Sequence, residues 1–91
     1  QNPAGKKISV DIFPNPVGRN LSMQVETKLN CIATINITDG TGRILKTLRQ
    51  QLFTGKNIVT VMTDNLPDGI LFVTINNGEE KLVRPFIKLL H

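Results

Sequence analysis

The sequence predicts an all-β domain, an antiparallel β-sandwich of about seven strands. Several segments alternate polar and apolar residues, as half-buried strands do. Turn residues recur at spacings of roughly 8–12 residues, which is typical of sandwiches. No segment shows a convincing helical period of apolar residues, and a length of 91 residues allows a single domain.

The first half of the chain supplies three predicted strands. Residues 6–12 alternate, and the prolines of Phe13-Pro14-Asn15-Pro16 end this strand because proline donates no ladder hydrogen bond. Residues 21–26 alternate with Leu21, Met23 and Val25 inward. Residues 31–38 follow, and their buried face is predicted to be Ala33, Ile35 and Ile37.

Two more strands are predicted in the middle of the chain. Residues 39–42 form a turn with two permissive glycines, and residues 43–50 read as a strand with a looser pattern. Residues 51–55 turn again. Residues 56–63 are a β-branched run with apolar residues on both faces, which predicts a central strand.

The chain closes in a predicted hairpin. Pro67 and Gly69 reverse the chain before an apolar strand at residues 70–75. Asn77-Gly78 predicts a type I′ turn, in which both residues have positive φ. In the last strand, residues 81–88, Pro85 removes one backbone donor, which suits an edge strand or a bulge.

Composition argues against sugar and nucleic-acid recognition. The chain has four Phe and neither Trp nor Tyr, whereas both kinds of site depend on aromatic faces. The net charge of +4 is spread over every segment, and a nucleic-acid site would gather it in one stripe. We expect no nucleic-acid partner, with attraction to an anionic membrane surface as a secondary interpretation.

Residues for catalysis or metal binding are sparse. The single histidine is His91 and the single cysteine is Cys31, which we expect to be a buried apolar residue. No Cys–His or Ser–His pair is therefore expected. Asp39-Gly40-Thr41-Gly42-Arg43 lacks the lysine and the helix of a phosphate loop, so we interpret it as a turn. We predict no enzyme activity in the domain itself, no cofactor and no metal.

Three motifs and the closing strand carry a resemblance to a known family. The motifs are Phe13-Pro14-Asn15-Pro16, Asp39-Gly40-Thr41-Gly42-Arg43 and residues 66–75, which begin with Leu66-Pro67-Asp68-Gly69. The closing strand, residues 80–88, carries lysines. In this order they resemble the type A C-terminal sorting domain of cargo proteins of the Bacteroidetes type IX (Por) secretion system. The resemblance covers residues 8–88. The family usually has Tyr where this chain has Leu71, and its last strand rarely contains a proline.

The resemblance implies a fold and a function. The fold is an immunoglobulin-like sandwich over residues 7–90, preceded by a linker remnant at residues 1–6. The function is a non-catalytic signal that directs a precursor from the periplasm through the outer-membrane translocon to the cell surface, the outer membrane or the medium. Removal of the domain by a sortase-like peptidase and anchoring of the cargo at the cell surface commonly follow. The implied partners are translocon and shuttle proteins, a sortase-like peptidase and an upstream cargo domain such as a secreted peptidase. Because the chain does not begin with Met, we expect it to be part of a longer protein.

The resemblance also implies two groups of candidate residues. Recognition is expected through the exposed face and edge of the last strands, with Lys81 and Lys88 accessible, and two copies are expected to dimerise or swap a strand there. The sorting-signal candidates are Pro14, Asn15, Pro16, Gly40, Gly42, Arg43, Leu66, Pro67, Gly69, Lys81 and Lys88. The candidate cleavage region is Gln1, Asn2, Pro3, Ala4, Gly5, Lys6 and Lys7.

Two other functions stay open at this point. An accessory immunoglobulin-like module with a structural or adhesive role, such as shielding a neighbouring catalytic domain, agrees equally well with the composition. A small hydrolase or carbohydrate-binding domain is the poorest alternative, because the chain has no internal His, no Trp and no Tyr.

Overall fold

Seven antiparallel strands make up most of the molecule. The computed structural model describes residues 8–14 and 17–89. The number of strands agrees with the prediction. Their bounds are β1 Ile8–Phe13, β2 Asn20–Thr27, β3 Cys31–Thr38, β4 Ile44–Leu52, β5 Gly55–Met62, β6 Gly69–Asn76 and β7 Lys81–Lys88.

The strands form two sheets that face each other. One sheet has the order β1-β2-β5 and the other the order β4-β3-β6-β7, and every neighbouring pair is antiparallel. The chain passes between the sheets after β2, after β4 and after β5. This is an immunoglobulin-like sandwich, so the predicted fold class is confirmed.

A single apolar core lies between the two sheets. Successive side chains of a strand point to opposite faces, so alternate residues meet in the middle. Leu21, Met23 and Val25 of β2 are fully buried, and so are the three inward residues predicted for β3. Cys31 differs from the prediction: at the start of β3 it is half-buried and packs against the edge of the core. Among the described residues, no helix is long and apolar enough to cross a membrane.

The middle of the chain departs from the sequence prediction in two ways. β4 continues to Leu52 and β5 begins at Gly55, so the connection has two residues and not five. β5 is an edge strand of the three-stranded sheet, which contradicts its predicted central position. The apolar residues on both faces of β5 predicted a central strand, but Ile58 and Met62, each 61% exposed, lie on the solvent face.

The turn between β6 and β7 is not the predicted type I′ turn. Asn76 pairs with Lys81, so four residues, 77–80, make the connection. A type I′ turn needs a positive φ at both of its central residues. Gly78 has a φ of 95°, but Asn77 does not have a positive φ, and neither does any other described non-glycine residue. The Oδ1 atom of Asn77 instead accepts hydrogen bonds from the backbone N–H groups of Glu79 and Glu80, at 2.9 and 2.7 Å. This side-chain turn selects the longer connection.

β7 is an edge strand, as Pro85 suggests. Its pairing with β6 keeps one register from end to end, so the structure has an edge there and no bulge. Val17 bonds to the other side of β7, through the carbonyl of Ile87 and the N–H of Leu89. Because backbone groups alternate in direction along a strand, the nitrogen of Pro85 also points away from β6. Pro85 therefore costs the β6–β7 ladder no hydrogen bond.

Candidate functional site

The strand order brings the three sequence motifs to one end of the sandwich. Residue 14 follows β1, residues 39–43 follow β3, and residues 63–68 precede β6. The register places these connections beside one another, since Phe13 pairs with Ser22, Asn20 pairs with Met62, and Thr38 pairs with Phe72. We call this the distal end. The proximal end holds Ile8 and the connections 28–30, 53–54 and 77–80, one strand length away, or about 25 Å.

The candidate residues divide unevenly between the two ends. Lys81, at the start of β7, is exposed and lies at the proximal end. Asn15, Pro16 and the candidate cleavage region, residues 1–7, lie outside the described residues. All the other candidates are at the distal end: Pro14, Gly40, Gly42, Arg43, Leu66, Pro67, Gly69 and Lys88.

Thr63 ties two of the distal connections together. Its Oγ1 donates to the carbonyl of Gly18 at 2.7 Å, and its backbone N–H donates to the carbonyl of Arg19 at 2.7 Å. The Thr63 side chain is fully buried. These bonds fix the segment after the first motif against the segment that leads into the third.

Val17 attaches the same segment to the last strand. Its N–H donates to the carbonyl of Ile87 at 2.7 Å, and its carbonyl accepts from the N–H of Leu89 at 2.9 Å. The pairing is parallel, and the Val17 side chain is fully buried. The C-terminal end of β7 is therefore held on both sides, by β6 and by Val17.

Lys88 completes the connections, and its position corrects the expectation that it is accessible. The side chain is 1% exposed, and Nζ donates to the carbonyl of Leu66 at 3.2 Å. Lys88 points inward because it shares the inward-facing side of β7 with Leu82 and Phe86. Its hydrogen bond connects Leu66 of the third motif to the last strand, and the side chain is not available for a surface contact.

The turn at residues 39–43 is organised by Asp39. Its Oδ1 accepts hydrogen bonds from the N–H of Thr41 at 2.9 Å, the hydroxyl of Thr41 at 2.6 Å and the N–H of Arg43 at 3.0 Å. The hydroxyl bond of Thr41 first, and then the bond from the Arg43 backbone, lower the pKa of Asp39 from its ordinary value. Gly42 has a φ of 89°, whereas Gly40 is not in the left-handed region. The Arg43 side chain remains 75% exposed.

Sequence reasoning missed Thr63 and Val17. Thr63 could have been found, because it continues the inward alternation of Val59 and Val61 and so marks a buried polar residue that needs a partner. Val17 carries no such signal, since it lies outside any alternating segment. Its role depends on the two sheets meeting at their edges.

The arrangement suits binding better than chemistry. In the described ranges, no group of three or more His, Cys, Asp or Glu side chains could hold a metal ion. A groove of about 250 Å³ runs between the edges of β1 and β7, and its charged lining residues are Asp11 and Arg84. The candidate residues that are exposed at the distal end are Pro14, Gly40, Gly42, Arg43, Pro67 and Gly69.

Comparison with known proteins identifies the pattern. The sequence model of the family described as the secretion system C-terminal sorting domain matches residues 11–89. No curated protein sequence matches the chain. Among solved structures, the chain is similar to dimeric latent PorU from Porphyromonas gingivalis, with a TM-score of 0.73 and 16% identity. That alignment covers 92% of this chain but 9% of the PorU chain, and at this identity it supports the fold alone.

Proposed function

Because the chain belongs to the family of secretion system C-terminal sorting domains, we propose that its distal end is the part of the signal that the type IX export machinery contacts. A domain of this family is a secretion signal, not a catalyst. It sends the protein that carries it to the cell surface or out of the cell. The proposal concerns which residues of the domain the export machinery binds.

One observation carries the proposal. Three motifs that are more than 20 residues apart in sequence meet at one end of the sandwich, where the last strand also ends. Pro14, Pro67 and Arg43 are exposed there, while Leu66 and Lys88 are buried and hold the end together. Motifs needed only for the hydrophobic core would be distributed along the whole sandwich and would not meet at one end.

The two ends of the sandwich then have separate roles. A cargo domain joined through residues 1–7 would enter the described chain at Ile8, which is at the proximal end, about 25 Å from the distal motifs. We propose that a sortase-like peptidase cleaves within residues 1–7 after transit from the periplasm, at the end of the domain opposite the recognised one. A secreted peptidase is one kind of cargo that this arrangement admits.

A reporter fusion tests the proposal. The domain is placed after a fluorescent protein with a periplasmic leader, in a type IX-competent cell and in an isogenic strain without the translocon. Arg43→Gln removes an exposed distal charge, together with the 3.7 Å ion pair between its Nε and Asp39 Oδ2, but keeps the backbone N–H that binds Asp39. Lys28→Gln is the matched control, because Lys28 is an exposed cation at the proximal end.

We expect translocon-dependent export of the unmodified fusion, a several-fold reduction for Arg43→Gln and no change for Lys28→Gln. Equal export of the two variants would contradict a distal recognition surface. A fusion that stays in the periplasm in both strains would instead indicate an accessory structural module. Point variants are preferable to deletion of residues 81–91, since that deletion also removes Leu82 and Phe86 from the core.

Homodimerisation through the C-terminal strand remains a prediction. The edge of β7 offers a partner little backbone, because Val17 bonds to Ile87 and Leu89 at one end. Pro85 also lacks a donor on the open side. Light scattering over a range of concentrations tests the prediction, and monomer throughout would contradict it.

A further inference from the structure

The outer face of the four-stranded sheet carries a continuous apolar patch. On β6 and β7, Ile70 is opposite Ile87 and Phe72 is opposite Pro85. Ile70 is 61% exposed, Val83 48% and Ile87 44%. We call these five residues the outer patch. A depression of about 250 Å³ lies within it, lined by Ile70, Pro85, Ile87 and the neighbouring Phe86.

The same face is positively charged toward the proximal end. Arg49 of β4 and Lys81 of β7 occupy one row across the sheet, since Arg49 pairs with Thr34, Thr34 with Asn76, and Asn76 with Lys81. Both side chains are exposed. No carboxylate lies on this face within the described ranges. The acidic residues of the described ranges all lie in the other sheet or in the connections between strands: Asp11, Glu26, Asp39, Asp64, Asp68, Glu79 and Glu80.

We propose that this face docks a protein partner with a matching surface, which has apolar side chains opposite the outer patch and carboxylates opposite Arg49 and Lys81. The inference rests on the proposed function, in that the partner belongs to the export machinery. From Lys81 to Ile87, the far end of the outer patch, the distance along β7 is six residues, about 20 Å. A partner that covers both must therefore span most of the sheet.

The face fits a protein better than a membrane surface. Interfacial lipid contacts favour Trp and Tyr, and the chain has neither. Two cations give only a weak attraction to an anionic leaflet, since segments that bind such surfaces through charge carry about four to eight Lys or Arg. Ile, Val and Pro on a rigid sheet instead give a fixed shape that a complementary protein surface can match.

A second copy of the chain is also a poor occupant. Stacking two such faces would place Arg49 and Lys81 on both sides, with no carboxylate of either face between them. An acidic partner would neutralise the positive charge on the face, whereas a second copy would bring like charges together.

Ile70 and Ile58 provide a matched pair for the test. Each is 61% exposed on the outer face of its own sheet, Ile70 on β6 and Ile58 on β5. In the reporter fusion, Ile70→Glu is expected to reduce export at least tenfold, and Ile58→Glu to leave it unchanged. Ile70→Met keeps the apolar contact and is expected to retain export. Thermal unfolding of each purified domain shows that the variants remain folded.

Charge reversal tests the acidic half of the partner. The double variant Arg49→Glu, Lys81→Glu is expected to reduce export several-fold. The control Lys28→Glu, Lys56→Glu makes the same change in net charge away from the proposed face and is expected to export normally. Untagged domain overproduced in the periplasm should compete with the reporter, and domain that carries Ile70→Glu should not.

The outcomes separate this inference from the function on which it rests. An unmodified fusion that is not exported contradicts the proposed function. Normal export of folded Ile70→Glu, with the unmodified fusion exported, overturns the docking face alone. Two solution measurements would overturn the protein assignment: binding of purified domain to anionic phosphatidylglycerol vesicles that Ile70→Glu abolishes, or a dimer that Ile70→Glu dissociates. We expect neither.

Discussion

Lys88 gives the sharpest test of how the distal end is built. Its side chain is 1% exposed, and its Nζ donates a hydrogen bond to the carbonyl of Leu66. Two substitutions, Lys88→Met and Lys88→Ala, remove the same hydrogen bond. They differ in the apolar stem, which methionine replaces with a chain of nearly the same length and alanine leaves empty.

The stem sets the expected magnitude. Beyond Cβ, methionine keeps three groups that alanine lacks, and a buried methylene contributes about 0.8 kcal/mol. The free energy of unfolding should therefore be about 2.4 kcal/mol lower for Lys88→Ala than for Lys88→Met. In a domain of this size, that corresponds to a difference in Tm of about 10–20 °C. Lys88→Met removes a buried amine, which favours the folded state, but leaves the Leu66 carbonyl without its donor, which opposes it, so the net change relative to the unmodified domain should be small.

The assay is urea unfolding followed by circular dichroism, with Lys81 as the control position. Lys81 is exposed on the same strand, so Lys81→Met and Lys81→Ala should agree within about 0.5 kcal/mol. The difference in the free energy of unfolding between the Met and Ala variants could instead be as small at residue 88 as at residue 81. The aliphatic part of Lys88 would then not be buried, and the contact between Lys88 and Leu66 would be refuted.

Three further predictions concern the distal connections. Thr63→Val, which leaves a carbonyl of the first connection without its donor, should lower stability by about 1–3 kcal/mol in thermal melts, while exposed Thr60→Val should stay within about 0.5 kcal/mol. Gly42→Ala, at a φ of 89°, should cost about 1–2 kcal/mol, and Gly40→Ala, outside that region, should be close to neutral; equal losses would refute the role of φ. Because the pKa of Asp39 is lowered from 3.8, its carboxylate stabilises the fold above that pH, and the contribution is lost as pH falls through the lowered value. Melts from pH 6 to 2 should show this acid loss in the unmodified domain and not in Asp39→Asn.

Strict alternation was the part of the sequence that could be interpreted with certainty. Where one face is buried, period-two patterning fixes both the strand and its orientation, so β2 and β3 were predicted with their inward residues. Exposed apolar residues break that logic. Ile58 and Met62 made an edge strand resemble a central one, because sequence alone does not distinguish a second buried face from apolar residues left in solvent.

Turn chemistry was only partly predictable for a related reason. Asn77-Gly78 satisfies the residue preference of a type I′ turn, yet Asn77 has another use for its side chain, accepting two backbone N–H groups. Which option prevails depends on where β6 and β7 must begin and end to keep their inward residues in the core. That constraint comes from the whole sheet.

By itself the sequence determined that this is a small β-sandwich with sparse catalytic potential, and its ordered motifs pointed to a sorting domain, as the family match shows. Only the tertiary structure decided where the motif residues lie and what they contact. Local patterning fixes where a strand runs, but the antiparallel order of two sheets brings Pro14, Arg43 and Pro67 to one end. The same packing turns Lys88 inward to Leu66 and leaves Ile70 exposed on the outer face, because a residue's surroundings depend on strands distant in sequence.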